Sequence, residues 1–256
     1  MSSQDPAAPV DSGVWTKLRA HTPARIGLPR AGVSLATGAV LELRAAHAAA
    51  RDAVWAPLDR DALVRALQTV GPPAISVASR AVDRLTFLKR PDLGRSLRPD
   101  SARRLATYCG AHDLAVVVAD GLSATAVQLH AVPLLAALLP MLGGEWRVAP
   151  PVVAEGARVA LGDEIAFALG AHSVLVLIGE RPGLSATDSL GAYVTWGVKP
   201  GLTDADRNCV SNIRPAGVDC ERAARQIAYL LSAARKEGYS GVMLKNRADE
   251  AINSLG

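Results

Sequence analysis

Val174-Leu175-Val176-Leu177-Ile178, followed at once by Gly179-Glu180-Arg181-Pro182-Gly183-Leu184-Ser185, is the passage from which the fold is read. A short aliphatic run rich in β-branched residues, closed abruptly by Gly and Pro, predicts a strand buried on both faces. Strands of that kind belong to open α/β sheets, whose ligands gather at the loops leaving the carboxyl ends of the strands. Further on lies a polar knot, Asp206-Arg207-Asn208-Cys209-Val210-Ser211-Asn212-Ile213-Arg214-Pro215. Together the two segments bring one carboxylate, Glu180, one thiol, Cys209, and several backbone amides to one rim. That is a binding site whose ligand the residues alone do not specify.

Working outward, strands and helices alternate. Residues 114–119 read as a strand, followed by Asp120-Gly121-Leu122-Ser123 and a long apolar helix ending near Leu142. Residues 148–154 read as a second strand and 157–169 as a helix. Residues 190–197 are strand-like, 219–237 form a strongly amphipathic helix, and 241–244 supply a last short strand. The prediction is a doubly wound α/β sheet. An internal echo supports it: the 114–119 and 174–178 strands both run into an acid, a turn Gly and a Ser suited to cap a helix. Strand exits favour those residue types in any case, which weakens the echo.

The chain before residue 110 is of another kind. Residues 1–22 form a polar leader and 25–37 a Gly/Pro loop. Residues 39–70 read as two helices broken at Pro57, the second capped by Asp59 or Asp61. Residues 79–94 are too dense in arginines and acids for a core and read as a contact surface, and residues 99–110 as one more helix.

Composition narrows the function. The chain has 256 residues, room for one large core or one core with an extension. Half of the residues are apolar, an excess that suits a surface covered by another protein chain. The apolar stretch 129–142 contains Pro133 and Pro140 and falls short of the roughly 18–20 residues of a membrane span. The start, Met1-Ser2-Ser3-Gln4-Asp5-Pro6, lacks the charged and apolar regions of a secretory signal. Net charge is +4 with no basic run interleaved with aromatics, so neither a membrane nor a nucleic acid is expected as partner. Cys109, Cys209 and Cys220 include no C-x-x-C pair, which points to a reducing compartment without disulfides or structural zinc. His21, His47, His112, His130 and His172 show no metal-ligand spacing.

Motifs that would carry a reaction are missing. There is no G-x-G-x-x-G after a strand, no P-loop and no G-x-S-x-G elbow. Cys209 reads either as a nucleophile with no histidine nearby in sequence or, more commonly, as a structural thiol. Glu180 reads either as a general base or as an acceptor for N–H groups.

From Thr22 to Leu244 the wording resembles the small (light) subunit of ethanolamine ammonia-lyase. The matching phrases begin with Thr22-Pro23-Ala24-Arg25-Ile26-Gly27-Leu28, His47-Ala48, Arg51-Asp52-Ala53-Val54 and Ser79-Arg80-Ala81. They continue with Arg90-Pro91-Asp92-Leu93-Gly94-Arg95, Ala119-Asp120-Gly121-Leu122-Ser123-Ala124 and Arg158-Val159-Ala160-Leu161-Gly162-Asp163-Glu164-Ile165. Gly179-Glu180-Arg181-Pro182-Gly183-Leu184 and the stretch 209–215 are the most telling. The resemblance implies one part of an adenosylcobalamin-dependent lyase that converts ethanolamine to acetaldehyde and ammonia by radical chemistry. It implies a Rossmann-like domain over 109–256 and a leader and helical region over 1–108 that contacts a large (heavy) subunit. Ethanolamine would be bound by that partner in a hetero-oligomer, and this chain alone would be inactive. Positions matching Val159, Glu180 and Cys209 would contact the corrin cofactor, with no catalytic residue and no metal ligand in this chain. A D-x-H-x-x-G motif is absent, which in the family goes with the cofactor's own benzimidazole staying on cobalt. The location implied is the cytoplasm or the interior of a bacterial microcompartment. Two rival readings are a stand-alone binder of a nucleotide or acyl ligand and a scaffold protein with a vestigial site.

Overall fold

A computed structural model describes residues 13–199 and 201–248. Its first elements are helix α1 (Gly13–Arg19), the two-residue strands β1 (Arg30–Ala31) and β2 (Ser34–Leu35), and helices α2 (Thr37–Trp55) and α3 (Arg60–Leu67). Asp59 is the cap of α3, accepting from Ala62 N. Strand β3 (Ile75–Ala78) follows, then helices α4 (Arg84–Lys89) and α5 (Pro99–Ala106) and strand β4 (His112–Ala119). Helix α6 (Ala124–Leu142), β5 (Val152–Glu155), α7 (Leu161–Leu169), β6 (Ala171–Gly179), β7 (Leu190–Trp196), β8 (Arg207–Ile213) and α8 (Cys220–Glu237) complete the chain.

One mixed sheet of six strands runs in the order β3-β5-β4-β6-β7-β8. The first four are mutually parallel, and β7 and β8 are added antiparallel at one edge. The fold is therefore α/β as expected, with an antiparallel edge. Val116, Val118, Leu175 and Leu177 point to one side and pack with Leu134, Leu138, Ile227 and Leu231 of α6 and α8. Val117, Ala119, Val174 and Val176 point to the other and pack with Leu105, Leu161 and Ile165 of α5 and α7. Helix α6 has the length and apolarity of a membrane span, but here it is a core helix, with Val127, Leu134, Leu135 and Leu138 fully buried.

Four expectations are corrected. Residues 241–244 make no strand. Gly241 takes φ +89°, Leu244 N bonds back to Gly241 O at 3.0 Å, and the segment is held to β8 by the Asn208 side chain. The second strand begins at Val152 rather than Val148, because Pro150 and Pro151 have no N–H for the ladder. The helix expected from 157 begins at Leu161, behind a tight turn closed by Leu161 N to Arg158 O at 2.9 Å. The polar knot is strand β8, whose polar residues sit at the edge of the sheet. Residues 1–12, most of the predicted leader, and 249–256 lie outside the described residues.

Candidate functional site

The carboxyl ends of β4, β5 and β6 are bound to one another by polar atoms. Asp120, leaving β4, accepts from Gly121 N at 2.9 Å and from Gly156 N and Ala157 N, beyond β5, at 2.9 and 3.0 Å. Arg84 Nη1 stands 3.7 Å from the same carboxylate. Burial is the largest influence on Asp120 and raises its pKa, with the three amides and Arg84 opposing it. Leu122 N donates to Gly179 O at 2.8 Å, drawing the β4 and β6 exits together. A Cβ on Gly121, at φ +55°, would stand 2.3 Å from Gly179 O, so only glycine permits that approach. Ser123 caps α6 and also donates to Thr187 O at 2.8 Å, pinning the β6–β7 loop. The echo ends there: Ser185 opens no helix, and the loop instead forms turns leading into β7.

Glu180 is the first residue of that loop. Its Oε2 accepts from Ser189 Oγ at 2.6 Å and from Asn212 N at 3.2 Å. Asn212 holds φ +58° in the irregular pairing between β7 and β8, a bulge that aims its amide at the carboxylate. Oε1 has no hydrogen-bond partner among the described residues, and a Cβ on Gly191 would lie 2.9 Å from it.

Glu180 and Val159 line one cleft of about 450 Å³ together with Phe87, Arg158, Arg181 and Tyr193. Val159 belongs to the tight turn before α7. Cys209 is not in the cleft wall and is not in a loop. It lies on β8 directly opposite Tyr193, on the sheet face that α6 and α8 do not cover. Its thiol, the Tyr193 hydroxyl and the Glu180 carboxylate are near enough to influence one another's protonation. As a residue Cys209 is exposed, yet neighbouring atoms desolvate the sulfur and push its pKa up. Burial likewise raises Tyr193. A thiol held protonated makes a contact surface rather than a nucleophile.

Of the three residues expected from sequence, Val159 and Glu180 line one cleft, and Cys209 stands outside it, paired across the strands with Tyr193 of the cleft wall. Ser189, Gly191, Tyr193, Asn212 and Arg158 were passed over. Tyr193 hides in an ordinary alternating strand, and only the partly buried phenol beside Gly191 marks it. Beyond the cleft, Arg207 forms a bidentate pair with Asp163 at 2.7 and 2.7 Å, tying β8 to the start of α7. Among the described residues no cluster of His, Cys, Asp or Glu is placed to hold a metal ion.

Residues 12–245 match the family model described as ethanolamine ammonia-lyase light chain. A protein named ethanolamine ammonia-lyase small subunit from Azotobacter vinelandii is 51% identical, over 98% of this chain and 94% of its own length. One of the same name from Pseudomonas syringae is 50% identical over 98% of this chain and 88% of its own, and one from Bradyrhizobium diazoefficiens 49% over 98% and 97%.

Proposed function

The chain belongs to the ethanolamine ammonia-lyase light-chain family, and on that premise we propose that it is the subunit forming one wall of an adenosylcobalamin site. The single observation that carries the reading is that Val159 and Glu180 share a cleft whose wall includes Tyr193 of β7, the residue paired across the strands with exposed Cys209 of β8. A corrin is a broad ring fringed with amides. A cleft at the strand exits, with the exposed Cys209 edge of β8 beside it, suits one rim of such a ring.

The residues present fit such a group. Glu180 has one oxygen fixed by Ser189 and Asn212 and one left to accept an amide N–H, a charge-assisted bond of the stronger kind. Gly191 lets that oxygen lie against the β7 backbone, where a Cβ would stand 2.9 Å from it. Val159 supplies apolar contact, and Cys209 packs as a neutral thiol. When bound, adenosylcobalamin supplies a carbon-centred radical by homolysis of its cobalt–carbon bond. This chain's residues orient the ring and exclude water from one side of it; none of them is assigned to act on ethanolamine, which we place with the large subunit.

The small-subunit name of the relatives supports that large partner, and the N-terminal region is the side we assign to it. Helix α2 buries only Ala39 and Ala53, while Trp15, Leu18, Leu41 and Trp55 are exposed. In this reading the helices before β3 dock the partner, while residues 75–106, which supply β3 and α5 to the sheet, join 109–256 in the Rossmann-like unit that carries the cofactor wall, in a hetero-oligomer inactive without both chains. The cytoplasm or a bacterial microcompartment would house it.

The test is corrinoid binding by the assembled two-subunit enzyme. A charged hydrogen bond contributes about 1.5–3 kcal/mol, so Glu180→Ala should weaken cobalamin binding by roughly tenfold or more. Unchanged affinity would remove Glu180 from the site, and failure of the chain to associate with a large subunit would remove the reading.

A further inference from the structure

The cleft holds more positive charge than the ring contacts explain. Arg158 and Arg181 both line it, and Arg84 and Arg95 act on Arg158 as like charges. Of these four only Arg84 has a carboxylate partner among the described residues, Asp120 at 3.7 Å. Arg158 is fixed in place. Its guanidinium lies 4.1 Å from the Phe87 ring centroid, and its Nη2 donates to Phe87 O at 3.0 Å. Its backbone N donates to Gly94 O at 2.8 Å, and its stem packs so closely on Gly94 that a Cβ there would stand 2.9 Å from Arg158 Cγ. Yet its Nε is buried with no acceptor, as is Nη2 of Arg84. Burial and the neighbouring arginines both push the Arg158 pKa down. A half-buried guanidinium with unmet donors and like charges around it is costly unless an anion completes it.

We propose that Arg158, with Arg181 in the same cleft wall, forms an anion subsite that takes the phosphodiester of the cofactor's nucleotide tail. The inference rests on the reading of the site as a corrinoid wall. It adds which part of the ligand lies there: the phosphodiester is the only anionic group on cobalamin, and a guanidinium fixed over the Phe87 ring, with no partner for Nη1 among the described residues, offers a phosphate a charge-assisted hydrogen bond. Glu180 and the arginines would then divide the ligand, the carboxylate taking amide N–H groups and the arginines the phosphate. An acidic side chain of the large subunit offers similar anion chemistry and is the rival source.

The experiment measures cyanocobalamin and dicyanocobinamide binding to the assembled two-subunit enzyme by equilibrium dialysis. Cobinamide lacks the nucleotide tail and its phosphodiester. Arg158→Gln should lose about tenfold or more in cobalamin affinity while cobinamide affinity stays unchanged, and Arg158→Lys should recover part of the loss. In the unaltered enzyme, raising NaCl from roughly 50 to roughly 500 mM should weaken cobalamin more than cobinamide. Equal loss of both corrinoids in Arg158→Gln, or loss of neither, overturns the subsite and leaves the corrinoid wall standing. If Arg158→Gln fails to assemble, the salt comparison decides: parallel decline of the two ligands overturns the proposal in favour of a partner carboxylate. If the unaltered enzyme binds neither corrinoid, the reading of the site falls and the subsite with it.

Discussion

The four parallel strands and the two antiparallel strands of the sheet are made differently. Strands β4 and β6 are covered on both faces, and Val116, Val117, Leu175 and Val176 are all at most 1% exposed. Strands β7 and β8 are covered by α6 and α8 along one face; on the other, Thr195 and Arg207 are buried beside the start of α7, Tyr193 is half-buried and Cys209 is exposed. Their covered residues, Ala192, Val194, Val210 and Ile213, are apolar, while their other face carries Gly191, Tyr193, Arg207 and Cys209. The parallel half is apolar on both faces, whereas the antiparallel half carries polar residues on its second face, where half-buried Tyr193 and exposed Cys209 provide the surface next to Glu180. Stability and binding are in this way assigned to neighbouring strands of one sheet.

Arg207→Ala is the change that should do most damage to that division. Its bidentate bond to Asp163 is buried and joins β8 to α7, so removal strands a carboxylate and should cost about 3–5 kcal/mol in urea unfolding. A small cost would mean that the edge strands are held by their apolar face alone. Leu175→Ala, in the doubly covered half, should cost about 2–5 kcal/mol. Cys209→Ala, at an exposed position of β8, should change unfolding stability by about 0.5 kcal/mol or less; if the two costs were alike, the comparison would fail.

Gly191→Ala sharpens the contrast from the binding side. The new Cβ would push on Glu180 Oε1, so corrinoid affinity of the assembled enzyme should fall several-fold, roughly the 1 kcal/mol of a mispositioned hydrogen bond, with little change in the melting temperature. Loss of stability without loss of affinity would place Glu180 outside the site. The smallest effect is expected at the opposite rim, where Arg147 holds the Asp113 carboxyl down to about 2 from an ordinary 3.8. A depressed carboxyl stabilises the fold above its unfolded value, and that contribution is lost as pH falls from about 3.8 towards 2. Arg147→Gln should therefore lower stability at neutral pH by about 1 kcal/mol or less and make no difference below pH about 2.

The same division explains what was legible in the sequence. Strand β6 was plain because burial on both faces demands an unbroken apolar run. Strand β8 reads as a polar knot in the sequence because only Val210 and Ile213 join the apolar core, and the bulge at Asn212 breaks their alternation. Strand β3 escaped because Ile75-Ser76-Val77-Ala78 is short and follows two prolines. At the site, Glu180 and Cys209 are legible as a binding rim from the strand exit and the polar segment, whereas Val159 and the corrin role of all three rest on the family resemblance. Tyr193 and Asn212 could not be found that way: one is defined by a cross-strand partner and the other by a backbone angle.

Hydrogen–deuterium exchange of the assembled two-subunit enzyme, with and without cobalamin, bears most directly on the corrinoid wall. Added ligand should slow exchange at the exits of β5 and β6, around 156–160 and 179–181, and along β7 and β8, with β3 and the Asp113 rim unchanged. Protection confined to β3 or that rim, or no change along β7 and β8, would contradict it.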